Sequence, residues 1–143
     1  MRFRFEKLEV WQEARKISNS IYRLTSWFPN GEMFAMTSQL RRATVSISSN
    51  IAEGAGRNSD KDFAHFLEQA YGSLMEVASI LHLAADESYV SKPEFAPLLD
   101  ELERLAKRIA APNRSLEIKT SKTPFQRRNG SSFDLRLSTL DQP

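Results

Sequence analysis

Apolar residues recur at intervals of three and four along most of this chain, the spacing that gathers one face of an α-helix. Leu8, Trp11, Ala14, Ile17, Ile21, Leu24 and Phe28 form the first such stripe and predict a helix from about Leu8 to Trp27. Phe28-Pro29-Asn30-Gly31 breaks it: proline disfavours the α region at the residue before it, and Asn-Gly is a turn pair. Met33, Met36, Leu40, Ala43, Ile47 and Ile51 predict a second helix from about Glu32 to Glu53, with Gly54 at the left-handed position that ends many helices. Ser59 is an N-cap residue, and Asp60 and Asp62 in the next turn suit the positive end of a helix dipole. From there Phe63, Leu67, Ala70, Leu74, Val77, Leu81 and Ala84 alternate steps of four and three, the seam of a left-handed bundle. Gly72 falls inside this third helix, where it costs about 1 kcal/mol relative to alanine; a close neighbouring backbone would explain it. Pro93 and Glu94 suit the first turn of a fourth helix, whose stripe is Leu98, Leu102, Leu105 and Ile109 and which Pro112 should stop or kink.

Four amphipathic helices on short connections predict an all-α fold, an antiparallel up-and-down four-helix bundle over residues 1–116. After Leu116 the chain turns polar, and residues 117–143 read as a mostly disordered tail, docked at most by Phe125 or Phe133. No period of 20–50 residues repeats, which excludes a solenoid.

The second helix carries more than a core face. With Leu40 at zero and 100° per residue, its apolar stripe falls within about 60° of Leu40. Phe34, Arg41, Val45 and Ala52 fall at about 100–140°, and Ser38, Arg42 and Ser49 lie near the opposite side. Solvated helical faces usually carry Lys and Glu. This one is small and nearly uncharged, and the third helix repeats the habit with Ala64, Tyr71, Ala78 and Ala85 beside its seam. Two such flanks predict a surface covered by a second copy of the chain, with Phe34, Ser38, Arg41, Val45, Ser49, Ala52 and Tyr71 as candidate interface residues.

Charge and composition sharpen this in one respect. The 143 residues carry a formal net charge of +2, unevenly spread. Residues 1–58 hold nine basic and five acidic residues, residues 59–116 six and ten, and the tail five and three. The bundle is thus neutral, with a basic first half and an acidic second half, and lacks the strong basic bias of a dedicated nucleic-acid binder. There is no cysteine, hence no disulfide framework and no thiolate ligand or nucleophile. The N-terminus lacks the apolar run of a signal peptide and no stretch is long enough to span a membrane, so the expected compartment is the cytoplasm.

The search for chemistry returns little. A carboxylate-bridged metal site in a bundle needs Glu-x-x-His pairs; the chain has none, and Asp62-x-x-His65 is one partial match, so no metal and no cofactor are expected. No serine sits in a nucleophile elbow. Acid–base work would need Glu53, Glu68 or Glu76 in an interhelical or intersubunit pocket, which is the alternative function to carry forward. Asn50 reads as a residue that fixes helix register by hydrogen bonding. For nucleic acid the candidates are Arg41, Arg42, Arg57 and Lys61, with Arg2 and Arg4 interleaved with Phe3 and Phe5, and Arg127-Arg128, as additions. Arg41 and Arg42 read better as ion-pair partners of the acidic helices, within or between subunits; Arg57 and Lys61 read better as exposed contacts.

One run of residues is specific enough to suggest a family. Ser38-Gln39-Leu40-Arg41-Arg42-Ala43-x-Val45-Ser46-Ile47-x-x-Asn50-Ile51-Ala52-Glu53-Gly54 resembles the central motif of the bacterial four-helix-bundle proteins encoded by intervening sequences within 23S ribosomal RNA genes. Lys7-Leu8-x-Val10-Trp11-Gln12-x-Ala14 before it, and Phe63, Phe66-Leu67 and Gly72-Ser73-x-x-Glu76 after it, extend the likeness over about residues 5–111. The resemblance implies an up-and-down bundle that forms ring-shaped homopentamers. A related group serves as accessory proteins to the reverse transcriptases of diversity-generating retroelements, where a basic barrel binds nucleic acid and the polymerase. It implies no catalytic residues. The expected function is therefore a non-enzymatic homo-oligomeric binding or scaffolding protein, with RNA or a ribonucleoprotein as the associated partner.

Overall fold

The computed structural model describes residues 1–110. The tail 117–143 and Pro112, with Phe125, Phe133 and Arg127-Arg128, lie outside the described residues. The helices are α1 (Glu9–Thr25), α2 (Met36–Ala55), α3 (Asp60–Asp86) and α4 (Lys92–Ile109), with single 3-10 turns at Arg4–Lys7 and Asn30–Glu32. There is no strand among the described residues. α2 packs on α1 and α3, and α4 closes the ring against α3 and α1, which is the up-and-down four-helix bundle. Every apolar stripe residue of α3 and α4 is buried, as are Leu8, Ala14, Ile17, Ile21, Leu24 and Phe28. Val10, outside the first stripe, is buried as well.

Local capping sets the ends of α3. Ser59 Oγ accepts from the Asp62 amide at 3.0 Å and starts α3. At the far end Tyr89 N–H donates to the Ala84 carbonyl and Ser88 N–H to that of Ala85, the paired bonds of a Schellman turn. Ser88 occupies its left-handed position at φ 63° without being glycine. Ser88→Gly is therefore expected to stabilise the fold by about 1 kcal/mol, since a side chain in that region is strained by a similar amount. A higher urea midpoint with an unchanged m-value would show it. Tyr89 then packs on Phe28 with ring centroids 5.6 Å apart, and its hydroxyl donates to Glu32 Oε1 at 3.3 Å. Partial burial and the Glu32 carboxylate raise that hydroxyl's pKa above its ordinary value.

Three expectations change. The second helix begins at Met36, not Glu32: Ala35, its N-cap, is non-helical at φ −123° and ψ −104°, and Glu32 Oε2 accepts from the Met36 amide at 3.2 Å. Met33 is left outside the helix and exposed, and Phe34 projects into solvent. Gly54 does not terminate α2 in a left-handed conformation; it lies buried within the helix, which ends at Ala55 with Gly56 as its cap. A Cβ on Gly54 would stand 2.7 Å from Phe66 Cβ and 2.8 Å from Phe63 Cδ1, so this glycine lets α3 approach. Gly72 shows the reverse: among the described residues no atom beyond its own stretch of helix lies within 4 Å of where its Cβ would be, and no neighbouring backbone there explains it.

The termini of the bundle are tied by arginine. Arg4 donates to the Ala55 carbonyl at 2.8 Å, placing a cation on the negative end of α2. Arg108 on α4 bridges Glu13 and Glu9 of α1, the latter at 3.3 Å.

Candidate functional site

The outward side of α2 divides into two flanks. Toward α3, Phe34, Ser38, Gln39 and Arg42 face Ser73 and Glu76 across a groove of about 440 Å³. Toward α1, Arg41 reaches back over the ring of Tyr22, an exposed residue, 4.8 Å from its centroid. Val45 is 42% exposed and Ser49 is exposed, while Ala52 and Ser38 are half-buried. Five of the seven candidate interface residues thus lie on the outward side of α2, divided between its two flanks, and Phe34 lies just before the helix. Tyr71 does not join them: it lines a separate groove between α3 and α4 with Met75 and Leu99.

The four candidate cations are divided in the same way. Arg42 and Arg57 sit 15 residues apart on and just beyond α2, about 20 Å along its axis, so they form no single cluster. Arg41 Nε donates to Thr25 Oγ1 at 2.8 Å, and the Thr25 hydroxyl itself donates to the Ile21 carbonyl. Its partner is therefore the end of α1, not an acidic helix. Arg57 pairs with Glu53 at 3.0 Å and lies over the Phe66 ring. Arg42 is exposed and donates only to Ser38 Oγ, at 3.5 Å, among the described residues; Lys61 is exposed. Arg4 is held by the Ala55 carbonyl, and Phe3 stacks on Phe5 at 5.9 Å.

The hydroxyl-rich stretch of α2 is structural. Asn50 Nδ2 donates to the Ser46 carbonyl at 2.8 Å and lies 3.1 Å from Ser46 Oγ, which shares a 2.8 Å hydrogen bond with Ser73 Oγ on α3. This chain sets the register of the α2–α3 pair, as polar links in a low-dielectric contact do. Of the three carboxylates, Glu53 is taken by Arg57, Glu76 accepts from Gln39 at 3.3 Å, and Glu68 is exposed. His65 lies 3.0 Å from Gln69 on its own helix. Among the described residues no three His, Asp or Glu side chains converge as a metal site would require.

One surface lies outside the sequence candidates. Along α1 and α4 two adjoining grooves, about 440 and 350 Å³, share Ser20, Arg23 and Glu101. Lys16 and Arg104 line one, and Trp27, 83% exposed, lines the other. The signal in the sequence was Lys16, Arg23 and Trp27 at steps of seven and four, a stripe hidden by Trp27's place at the end of the apolar pattern.

Packing and surface together define a small helical-bundle protein whose polar side chains chiefly join helices. The profile of the 23S rRNA-intervening sequence protein family matches residues 6–111, and the chain belongs to that family. It is also similar to the crystal structure of a protein of unknown function from the S23 ribosomal protein family of Bacteroides thetaiotaomicron VPI-5482. The two are 23% identical over 70% of this chain and 94% of that one, with a TM-score of 0.65, a likeness of fold. No curated protein matches the chain. No helix among the described residues is long and apolar enough to cross a membrane.

Proposed function

We propose that this chain is a non-catalytic, cytoplasmic bundle protein that assembles with copies of itself and acts as a binding or scaffolding protein. Its associated partner is RNA or a ribonucleoprotein. The observation that carries the self-association is Gly72. It spends about 1 kcal/mol of helix propensity at a position where, among the described residues, no other segment comes within 4 Å of a Cβ placed on it. A helix from a second copy lying across it would need that missing side chain. Val45 on α2 is exposed and Phe34 just before it is 96% exposed, apolar surface that an assembled copy would also cover. The five-membered ring is what the family likeness implies, and the association with ribosomal RNA genes in the family's name is what favours RNA as the ligand class.

Sedimentation equilibrium is expected to return five times the 16.3 kDa chain mass. A monomer at micromolar concentration would refute the assembly. Gly72→Leu is expected to lower the assembled fraction at least ten-fold while the helical circular dichroism signal stays. If it raises stability by about 0.5–1 kcal/mol through helix propensity and leaves the mass unchanged, Gly72 is not at an interface. The non-catalytic part is tested by a thermal-shift screen against nucleotides and divalent ions, in which no shift is expected.

A further inference from the structure

We infer that the trough between α1 and α4 binds single-stranded nucleic acid, with Trp27 as the stacking platform and Lys16, Arg23 and Arg104 as the phosphate contacts. The inference rests on the nucleic-acid part of the reading above but places the ligand on a different surface. Arg41, Arg57 and Arg4 are each held within the chain, by Thr25 and Tyr22, by Glu53 and Phe66, and by the Ala55 carbonyl. The α1–α4 cations are not so held. Among the described residues Lys16, Arg23 and Arg104 have no carboxylate within ion-pair distance, and Arg23 donates only to Ser20 Oγ at 3.4 Å. Lys16 and Arg23 are one heptad apart on α1, about 10 Å, on one stripe of the helix. Trp27 follows Arg23 by four residues and is 83% exposed. Arg104 stands on the opposite wall.

Proteins that hold single strands combine a groove of cations with an exposed aromatic face on which a base stacks. Both parts occur here in two adjoining grooves that share Arg23. The nearby carboxylates decide how strongly. Glu13 is paired with Arg108, while Glu94, which accepts from the Ser91 hydroxyl at 2.7 Å and keeps its charge, and Glu101 are the negative charges that face the trough. Glu101 lines both grooves, so it opposes a phosphate backbone wherever that backbone runs.

The test is fluorescence anisotropy of labelled twelve-residue oligo(U) and oligo(dT) with the full chain, at low salt and over a salt series. Trp27→Ala is expected to weaken binding about ten-fold, within the range for loss of one stacked base. Arg23→Ala and Arg104→Ala are each expected to reduce the slope of log affinity against log salt by about one. Glu101→Gln is expected to tighten binding, an outcome that misfolding cannot mimic. Equal affinity for both strands, or a preference for oligo(U), supports the inference. If the oligonucleotides bind but all four variants match the wild type, the trough is not the site, while the RNA reading stands. If neither oligonucleotide binds at low salt, both fall. If Trp27 fluorescence answers to poly-glutamate but to neither oligonucleotide, the trough is a surface for acidic peptides and the inference is overturned.

Discussion

Replacing Phe63 with alanine is expected to cost about 3–5 kcal/mol, the largest effect of any single change proposed for this chain. Phe63 is fully buried in the first turn of α3, next to the glycine that admits it. Removing the ring deletes its transfer free energy and leaves a cavity in the α2–α3 contact that the surroundings fill only in part. Whole domains are stable by only about 5–15 kcal/mol, so the variant should melt on the order of 10 °C lower and unfold at much lower urea. Because an assembly's stability depends on concentration, the comparison belongs at one fixed protein concentration. A loss under 1 kcal/mol would mean that Phe63 is not the keystone of the α2–α3 contact.

The second large effect comes from adding one methyl group. Gly54→Ala places a Cβ 2.7 Å from Phe66 Cβ and 2.8 Å from the Phe63 ring. Phe66 Cβ is fixed to the α3 backbone, so it cannot swing aside, and the Phe63 ring is fully buried. The helices must move apart, at about 1–3 kcal/mol for overpacking, offset by the roughly 1 kcal/mol that alanine contributes to a helix. The net is destabilising, and Gly54→Leu should be worse. Gly72→Ala is the matched control: the same chemistry in open space should stabilise the isolated chain. Phe63→Leu in the Gly54→Ala background should recover part of the loss, since it removes the ring atoms but not Phe66 Cβ. Such neighbours are expected to be non-additive in a double-mutant cycle. Equal urea midpoints for Gly54→Ala and wild type would contradict the close approach of α2 and α3.

The candidate surfaces show how the two levels of description divide. Asn50 was readable as a register-fixing residue because a lone amide in an apolar helix stripe has few other uses, and it bonds to Ser46, which joins Ser73. Arg41 was not readable. Its ion-pair reading assumed that charge decides its partner, while in the fold the nearest acceptor is the Thr25 hydroxyl at the end of α1. Tyr71 looked like a companion of Val45 and Ala52 because both flanks are small-residue stripes. Helical phase alone cannot say that one stripe points at α1 and the other at α4.

By itself, the sequence determined the four helices, the identity of their buried faces, the Ser59 cap and the family motif. These depend on spacing of about 3.6 residues and on side chains acting within a few positions, which are local quantities. Only the tertiary structure decided where α2 begins, what Gly54 is for, and which cations are free. Glu32 accepts from the first amide of α2 with one oxygen and from Tyr89, 57 residues away, with the other. Gly54 becomes a contact because Phe63 and Phe66 fold back onto it. Arg4 and Arg41 are committed by acceptors that are distant in sequence or on another helix. Each of these facts is a distance between segments, and a linear pattern of polar and apolar residues carries no distances beyond its own helix.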